Sequence, residues 1–304
     1  MVTVQIAIAI ASIGRPSLAD TLRSLAELSL PADVSVSVLV ADDSRDGAAT
    51  RIVQGLALED LSVKCLPVAA GNISAARNAI LDAATGDWIA LVDDDEWVEP
   101  DWLSRLLAAA REFQADVVIG PVRPVYPADA PEWFVRANPL YNEWGHRGKR
   151  LSTGRGGNTL MKADLSSRLR LRFDPALGVT GGEDTAFFAA AAARGAIIVA
   201  TDDAVAREHV PSERLAPSYV LRRAVRSGQS YADARRAGHD GLLRDLAFSL
   251  DALAKVVAAA LLALVLRPVD RAFSFRMRQK LALNLGKLRS VLGLPLAELY
   301  RKPD

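Results

Sequence analysis

Through the first 120 residues, short apolar runs rich in β-branched side chains alternate with segments whose apolar residues recur at helical spacing. That alternation points to a parallel sheet wound with crossover helices. Strands are predicted at Val4 to Ala11, Val34 to Ala41, Val63 to Val68 and Trp88 to Val92. Helices are predicted between them at Leu18 to Leu28, Ala48 to Leu58 and Ser74 to Ala84, the last with Asn72 as its N-cap. In such sheets ligands bind beyond the carboxyl ends of the strands. Polar residues gather at those ends: Ser12 to Pro16 after the first strand, Asp42-Asp43-Ser44 after the second, and Asp93 to Glu96 after the fourth.

The run Asp93-Asp94-Asp95-Glu96 sets four carboxyl groups side by side at the end of an apolar strand. They repel one another and raise each other's pKa unless a cation or a set of donors sits among them. A divalent metal is the simplest remedy, and oxygen-only ligands with room left for water and phosphate suit Mg²⁺ or Mn²⁺ better than zinc. The plainer reading is an acidic N-terminus for the helix that Pro100-Asp101 opens, Trp102 to Ala110.

Beyond Gly120 the pattern loosens into a Pro-, Trp- and Gly-rich segment, Pro121 to Gly157, long enough to be a functional loop that closes over a substrate. A short strand follows at Asn158 to Met161, a helix at Thr185 to Arg194 behind Gly181-Gly182-Glu183-Asp184, and a strand at Ile197 to Ala200. Asp42 and Asp43 could accept from a base N–H or from ribose hydroxyls, or could simply shape a turn. Arg77 and Asn78 could face the same crevice from the first turns of their helix. The Glu183-Asp184 pair offers a carboxylate on a flexible loop that could act as general base, although acids are common at helix starts without function. Of the three histidines, His209 follows a strand and could complete a metal site, whereas His146 and His239 are predicted at the surface.

Several classes are disfavoured. A formal charge of +1 and the lack of an arginine-rich or aromatic-interleaved motif argue against a nucleic-acid surface. Neither G-x-G-x-x-G nor G-x-x-x-x-G-K-[ST] occurs, so phosphate would have to be held through metal. One cysteine, Cys65, excludes an internal disulfide and a cysteine zinc site and fits a reducing cytoplasm. The first residues lack a secretory signal.

Taken in order, these pieces resemble glycosyltransferase family 2, the inverting nucleotide-sugar transferases of the GT-A fold. The resemblance rests on Ile10 to Pro16, Asp42-Asp43-Ser44-Arg45-Asp46-Gly47, Ala76-Arg77-Asn78, Asp93-Asp94-Asp95 with Pro100-Asp101, Gly156-Gly157-Asn158, and Glu183-Asp184. It implies an α/β fold: a mixed, mainly parallel sheet flanked by helices in a GT-A domain over residues 1–230, with a C-terminal helical segment over 231–304. It implies that Ser12, Arg15, Asp42, Asp43, Arg77, Asp93 and Asp94 meet the nucleotide-sugar donor and that Gly156, Gly157 and Asn158 lie on the acceptor side. Asp95 with Asp93 and His209 would hold Mn²⁺ or Mg²⁺, and Asp184, beside Glu183, would take the acceptor's proton. His209 to Arg214, Leu221-Arg222-Arg223 and Gly228-Gln229 look like the bacterial exopolysaccharide branch, typified by succinoglycan-type transferases. That branch implies a sugar added to a glycan or polyprenyl-diphosphate-linked acceptor, with Arg214, Arg222 and Arg223 near donor or lipid phosphates.

Ala252 to Leu266 is an Ala/Leu/Val run broken only by Lys255, and its uncharged core, Val256 to Leu266, is too short to cross a bilayer. From Lys255 to Arg289 eight Lys or Arg face a single acid, Asp270. The pattern fits a helix in the interface of the inner membrane face, giving a peripheral protein on the cytoplasmic side, or else a core or homodimer helix with a basic outer face. Two other functions are weighed against transfer: a non-catalytic nucleotide-sugar-binding membrane scaffold and a sugar nucleotidyltransferase.

Overall fold

The computed structural model describes residues 3–58, 61–236 and 241–297, so His239 lies outside the described residues. In chain order the elements begin β1 (Val4–Ser12), α1 (Leu18–Ala26), β2 (Val34–Asp42), α2 (Ala48–Gln54), β3 (Val63–Pro67), α3 (Ile73–Ala83) and β4 (Trp88–Leu91). They continue with β5 (Glu96–Val98), α4 (Trp102–Glu112), β6 (Val117–Ile119), β7 (Val122–Val125), α5 (Glu132–Ala137), β8 (Thr159–Lys162) and α6 (Leu165–Leu169). The last are α7 (Glu183–Ala193), β9 (Ile198–Ala200), β10 (Ala206–His209), α8 (Pro217–Arg236), α9 (Leu242–Leu266) and α10 (Arg271–Val291).

Two compact units result: residues up to Arg123 with Asn142–Glu208, and Pro124–Tyr141 with the residues from His209 onward. The first is built on a seven-stranded sheet in the order β3-β2-β1-β4-β8-β6-β9. β3, β2, β1 and β4 run parallel, β8 is antiparallel to both β4 and β6, and β9 is parallel to β6. Alternation along β1 sends Ile6, Ile8 and Ile10 to one face, where Leu18, Leu22 and Leu25 of α1 and Leu103, Leu106 and Leu107 of α4 cover them. On the other face Ala9, Ile89, Leu91 and Met161 meet Ala76 and Ile80 of α3 and Phe187 and Phe188 of α7. In the middle of the sheet both faces are covered, which is why Ile6 to Ala11 of β1 and Trp88 to Leu91 of β4 read as continuous apolar runs.

Helix α2 stops at Gln54, short of the predicted Leu58, where Gly55, a poor helix former, follows and its N–H is shared between the carbonyls of Arg51 and Ile52. The segment 121–157 is not a plain loop: it contains β7 and α5. Phe134, Ala137 and Leu140 from it are buried in the second unit with Val210, Val220, Ala272 and Phe275. Its Pro and Trp content hides a short helix whose apolar face has a core to enter.

In the second unit α10 packs on α8 and α9. Asp270 caps it by accepting from the N–H groups of Ala272 and Phe273 at 2.9 and 3.0 Å. Helix α9 corrects the expectation of a run too short to span. The uninterrupted uncharged run Val256 to Leu266 has 11 residues, but the helix that contains it has 25, about 37 Å of rise. Among the described residues it is the one helix long and apolar enough to cross a bilayer, and little of it is buried.

Candidate active site

The register that pairs Ala9 with Leu91 carries the chain leaving β1 alongside the chain leaving β4. Strands β2 and β3 lie on the far side of β1, so the chain reverses its direction of travel across the sheet here, where open α/β sheets form a crevice. Three residues beyond that register, the Ser12 hydroxyl donates to Asp94 Oδ2 at 2.7 Å. Arg15 Nη1 donates to Asp94 Oδ1 at 2.9 Å and to Asp95 Oδ2 at 3.3 Å. Burial raises the Asp94 pKa, with Arg15 and Ser12 pulling against it. Asp95 is pushed up to about 6 by burial and by the charges of Asp93 and Glu208, which Arg15 only partly offsets.

The acid cluster is answered from within the protein by arginines. Arg155 Nη2 donates to Glu96 Oε1 at 2.8 Å and to Asp93 Oδ2 at 3.2 Å. Arg77 reaches Asp93 Oδ1 at 3.4 Å and donates through Nη1 to Glu183 Oε1. Glu96 is 1% exposed, and burial pushes its pKa up to about 8 against the pull of Arg155, with Asp93 and Glu208 adding to the rise. Neither Glu96 nor Arg155 stood among the predicted site residues. Glu96 closed the acidic run, but nothing in the spacing shows that the residue before Gly156-Gly157 points back at it. The glycine pair makes that approach possible. A Cβ on Gly156 would collide with the Arg77 guanidinium, and one on Gly157 would lie 2.6, 2.7 and 2.8 Å from Asp93 Oδ2, Glu96 Oε1 and Arg155 Nη2. Arg155 Nη1 remains buried and meets no acceptor among the described residues.

Asp184 sits at the start of α7 next to this network. Its Oδ1 accepts from the Thr185 N–H at 2.6 Å and hydroxyl at 3.3 Å, and its Oδ2 accepts from the Gly156 N–H at 3.1 Å. Glu183 differs: it is buried against Arg77, and burial and the Asp184 charge raise its pKa while Arg77 lowers it.

The other predicted residues are more occupied with the protein itself. Asp42 accepts from the Ser44 N–H and hydroxyl and from the Thr50 N–H and hydroxyl; burial pushes its pKa up, but these bonds outweigh it and hold the carboxyl below its ordinary value. Asp43 takes the N–H groups of Ala70, Gly71 and Asn72. Asn158 is fully buried with φ +45°, a conformation asparagine tolerates better than most. Its amide donates to the Pro121 and Ala204 carbonyls at 2.7 and 2.9 Å and accepts from Trp102 Nε1 at 2.7 Å. We expect Asn158→Ala to cost about 3 kcal/mol, since three buried groups lose a partner. A change under 1 kcal/mol in urea denaturation would show that water replaces the amide.

His209 is exposed at the end of β10, Arg214 lies in a 3-10 turn, Ser212–Leu215, and Arg222 is exposed on α8; all three belong to the second unit. Among the described residues no group of three or more His, Cys, Asp or Glu side chains is gathered to hold a metal ion alone. Asp93 and Asp95 offer two carboxylates. That set fits Mg²⁺ or Mn²⁺ only where diphosphate and water oxygens supply the other ligands, which is how such ions are commonly held.

Residues 8–170 match the sequence model of the family described as Glycosyl transferase family 2. The chain is 35% identical over 302 residues to the succinoglycan biosynthesis protein ExoM of Rhizobium meliloti strain 1021, covering 98% of this chain and 96% of that one. Its fold is similar to that of the mannosyltransferase PcManGT of Pyrobaculum calidifontis, solved with GDP-Man and Mn²⁺ (TM-score 0.59, 20% identity, 96% and 88% coverage). It is also similar to S. aureus TarS 1–349, solved with UDP-GlcNAc (TM-score 0.54, 18% identity, 95% and 92% coverage). The strand ends, the acidic run and the Glu-Asp helix start thus lie on a GT-A framework, and the chain belongs to glycosyltransferase family 2.

Proposed function

We propose that the protein moves a sugar, with inversion, from a nucleoside-diphosphate donor, a UDP-sugar in the first instance, to a hydroxyl of a lipid-linked glycan in exopolysaccharide synthesis. The observation that carries this reading is the Asp184 carboxylate, held by backbone amides beside an acid–arginine network at the carboxyl ends of β1 and β4. Asp184 Oδ2 takes the proton of the acceptor hydroxyl as that oxygen attacks the anomeric carbon and the bond from that carbon to the diphosphate breaks. One displacement with one base inverts the centre. Ser12 and Arg15 hold Asp94 toward the donor. Asp95 with Asp93 would hold Mn²⁺ or Mg²⁺, which when bound offsets charge on the departing nucleoside diphosphate. The similarity to ExoM supports the pathway assignment, and the solved complexes with UDP-GlcNAc and GDP-Man support a nucleotide-sugar donor.

We place the protein on the inner face of the cell membrane, the cytoplasmic side, with α9 in the interface. Its charges, Arg244, Asp245, Asp251 and Lys255, fall within the first 14 of its 25 residues and the rest is apolar.

The reading predicts stabilisation by one nucleotide among UDP, GDP, dTDP and CMP, because a ligand that binds only the folded state raises its apparent stability. At a hundred times its Kd the gain is about 2.7 kcal/mol. The shift should require Mn²⁺ or Mg²⁺, disappear with chelator and disappear in Asp95→Ala. Equal shifts with and without metal would remove the ion from the site, and no shift with any nucleotide would return the protein to the scaffold reading.

A further inference from the structure

One face of α9 packs on α10 through small residues: Ala252, Ala259 and Ala263 are buried, and the Ser274 hydroxyl donates to the Ala263 carbonyl at 2.7 Å. The rest of its second half is bare. Val257, Leu261, Leu262, Leu264 and Val265 are 45–71% exposed, with no charged residue between Lys255 and Arg267. This apolar face runs into a cavity of about 680 Å³ whose walls include Trp133 of α5, Leu264 of α9 and Phe275 of α10.

Arg267, Arg271 and Arg278 also line the cavity. None of the three is ion-paired with a carboxylate of the described residues. The nearest acid in the chain, Asp270, is engaged with the first amides of α10 and with Arg136 at 3.1 Å. Arg271 lies over the Trp133 ring at 4.2 Å, which fixes its direction. A hollow with three cations at its rim, aromatic walls and an apolar helix leading away is complementary to an amphiphile with an anionic head.

We infer that this cavity seats the phosphate of an anionic bilayer phospholipid whose acyl chains lie along the bare face of α9. Docking then depends on particular arginines rather than on the basic charge of α10 as a whole. The inference rests on the membrane-proximal reading above, but vesicle binding can be measured apart from transfer.

The test is sedimentation of the full chain with phosphatidylcholine vesicles with and without phosphatidylglycerol, at low and high salt. Two paired variants are compared with wild type: Arg267→Gln with Arg278→Gln inside the cavity, and Arg276→Gln with Lys280→Gln on α10 outside it. The expected result is binding that needs phosphatidylglycerol and falls about thirtyfold in the cavity pair, from two lost contacts near the lipid surface, with a clearly smaller loss in the other pair. Equal losses in the two pairs would overturn the site in favour of diffuse charge. Wild type left in the supernatant while it still gives the nucleotide-dependent thermal shift would overturn the lipid inference and leave the transferase reading standing. Self-association of wild type that Leu264→Asp abolishes would assign the face to a second copy of the chain and likewise overturn it. The nucleotide shift, retained in both paired variants, shows that each is folded.

Discussion

Asp184→Asn is expected to lower turnover by about 10²–10⁴-fold while leaving nucleotide binding within a factor of about two, because a positioned general base contributes in that range. The amide keeps the shape. Its oxygen can still accept from the Gly156 N–H, which reaches Oδ2 at 3.1 Å, or from the Thr185 N–H, which reaches Oδ1 at 2.6 Å. What is lost is the lone pair that receives the acceptor's proton. The reaction then has to release that proton to water from a less nucleophilic hydroxyl.

The same geometry separates Asp184 from its neighbour. Glu183 is buried with one carboxyl oxygen on Arg77, whereas Asp184 is half-buried, so Asp184 is the better placed of the two to meet an acceptor. Single-turnover kinetics with the donor that gives the thermal shift would distinguish the two. If Asp184→Asn turns over normally and Asp184→Ala does too, the base lies elsewhere and the assignment fails. A collapse of nucleotide binding in the Asn variant would instead make Asp184 a donor ligand.

The parallel half of the sheet is legible because β1 from Ile6 and all of β4 are unbroken apolar runs covered on both faces, β2 is rich in Val, and turn chemistry stands at the strand ends. The short strands are not. β5 begins inside the acidic run at Glu96, and a three-residue strand bearing a carboxylate carries no periodic signal until its partner β10 is known. The acids at 93–96 announce a charged site that needs a cation or a set of donors, and the sequence alone points first to a metal. Arg77 and Arg155 reach those acids from 16 and 59 or more residues away, a proximity no local spacing reports. The tight approach of Gly156 and Gly157 is of the same kind: the motif was visible, but its reason, the side chains crowding against it, exists only in three dimensions.

Arg77→Ala is expected to cost about 3–5 kcal/mol of folding stability, the range for removing one partner of a buried ion pair. Arg77 is buried with its guanidinium on Glu183 and Asp93 and 5.6 Å from the Phe173 ring centroid. Truncation leaves Glu183 in the interior facing the charge of Asp184 with no cation beside it. The penalty should depend on pH, and its sign can be worked out. Burial and Asp184 already raise the Glu183 pKa while Arg77 lowers it, so removing Arg77 raises it further. Above the unfolded value of about 4.3 the folded variant then binds a proton that the unfolded chain does not, and its stability falls as pH rises toward the folded pKa. The deficit against wild type should therefore be small in acid and grow through neutral pH. Arg77→Met combined with Glu183→Leu should recover most of the loss, because replacing a buried pair by apolar side chains is often neutral or stabilising. Urea denaturation at several pH values reads all three variants. A pH-independent loss equal in Arg77→Ala and in the double variant would show that Arg77 acts by filling space beside Gly156 and Phe173, and that the charge it places against Glu183 contributes little to holding α7 and Asp184 in position.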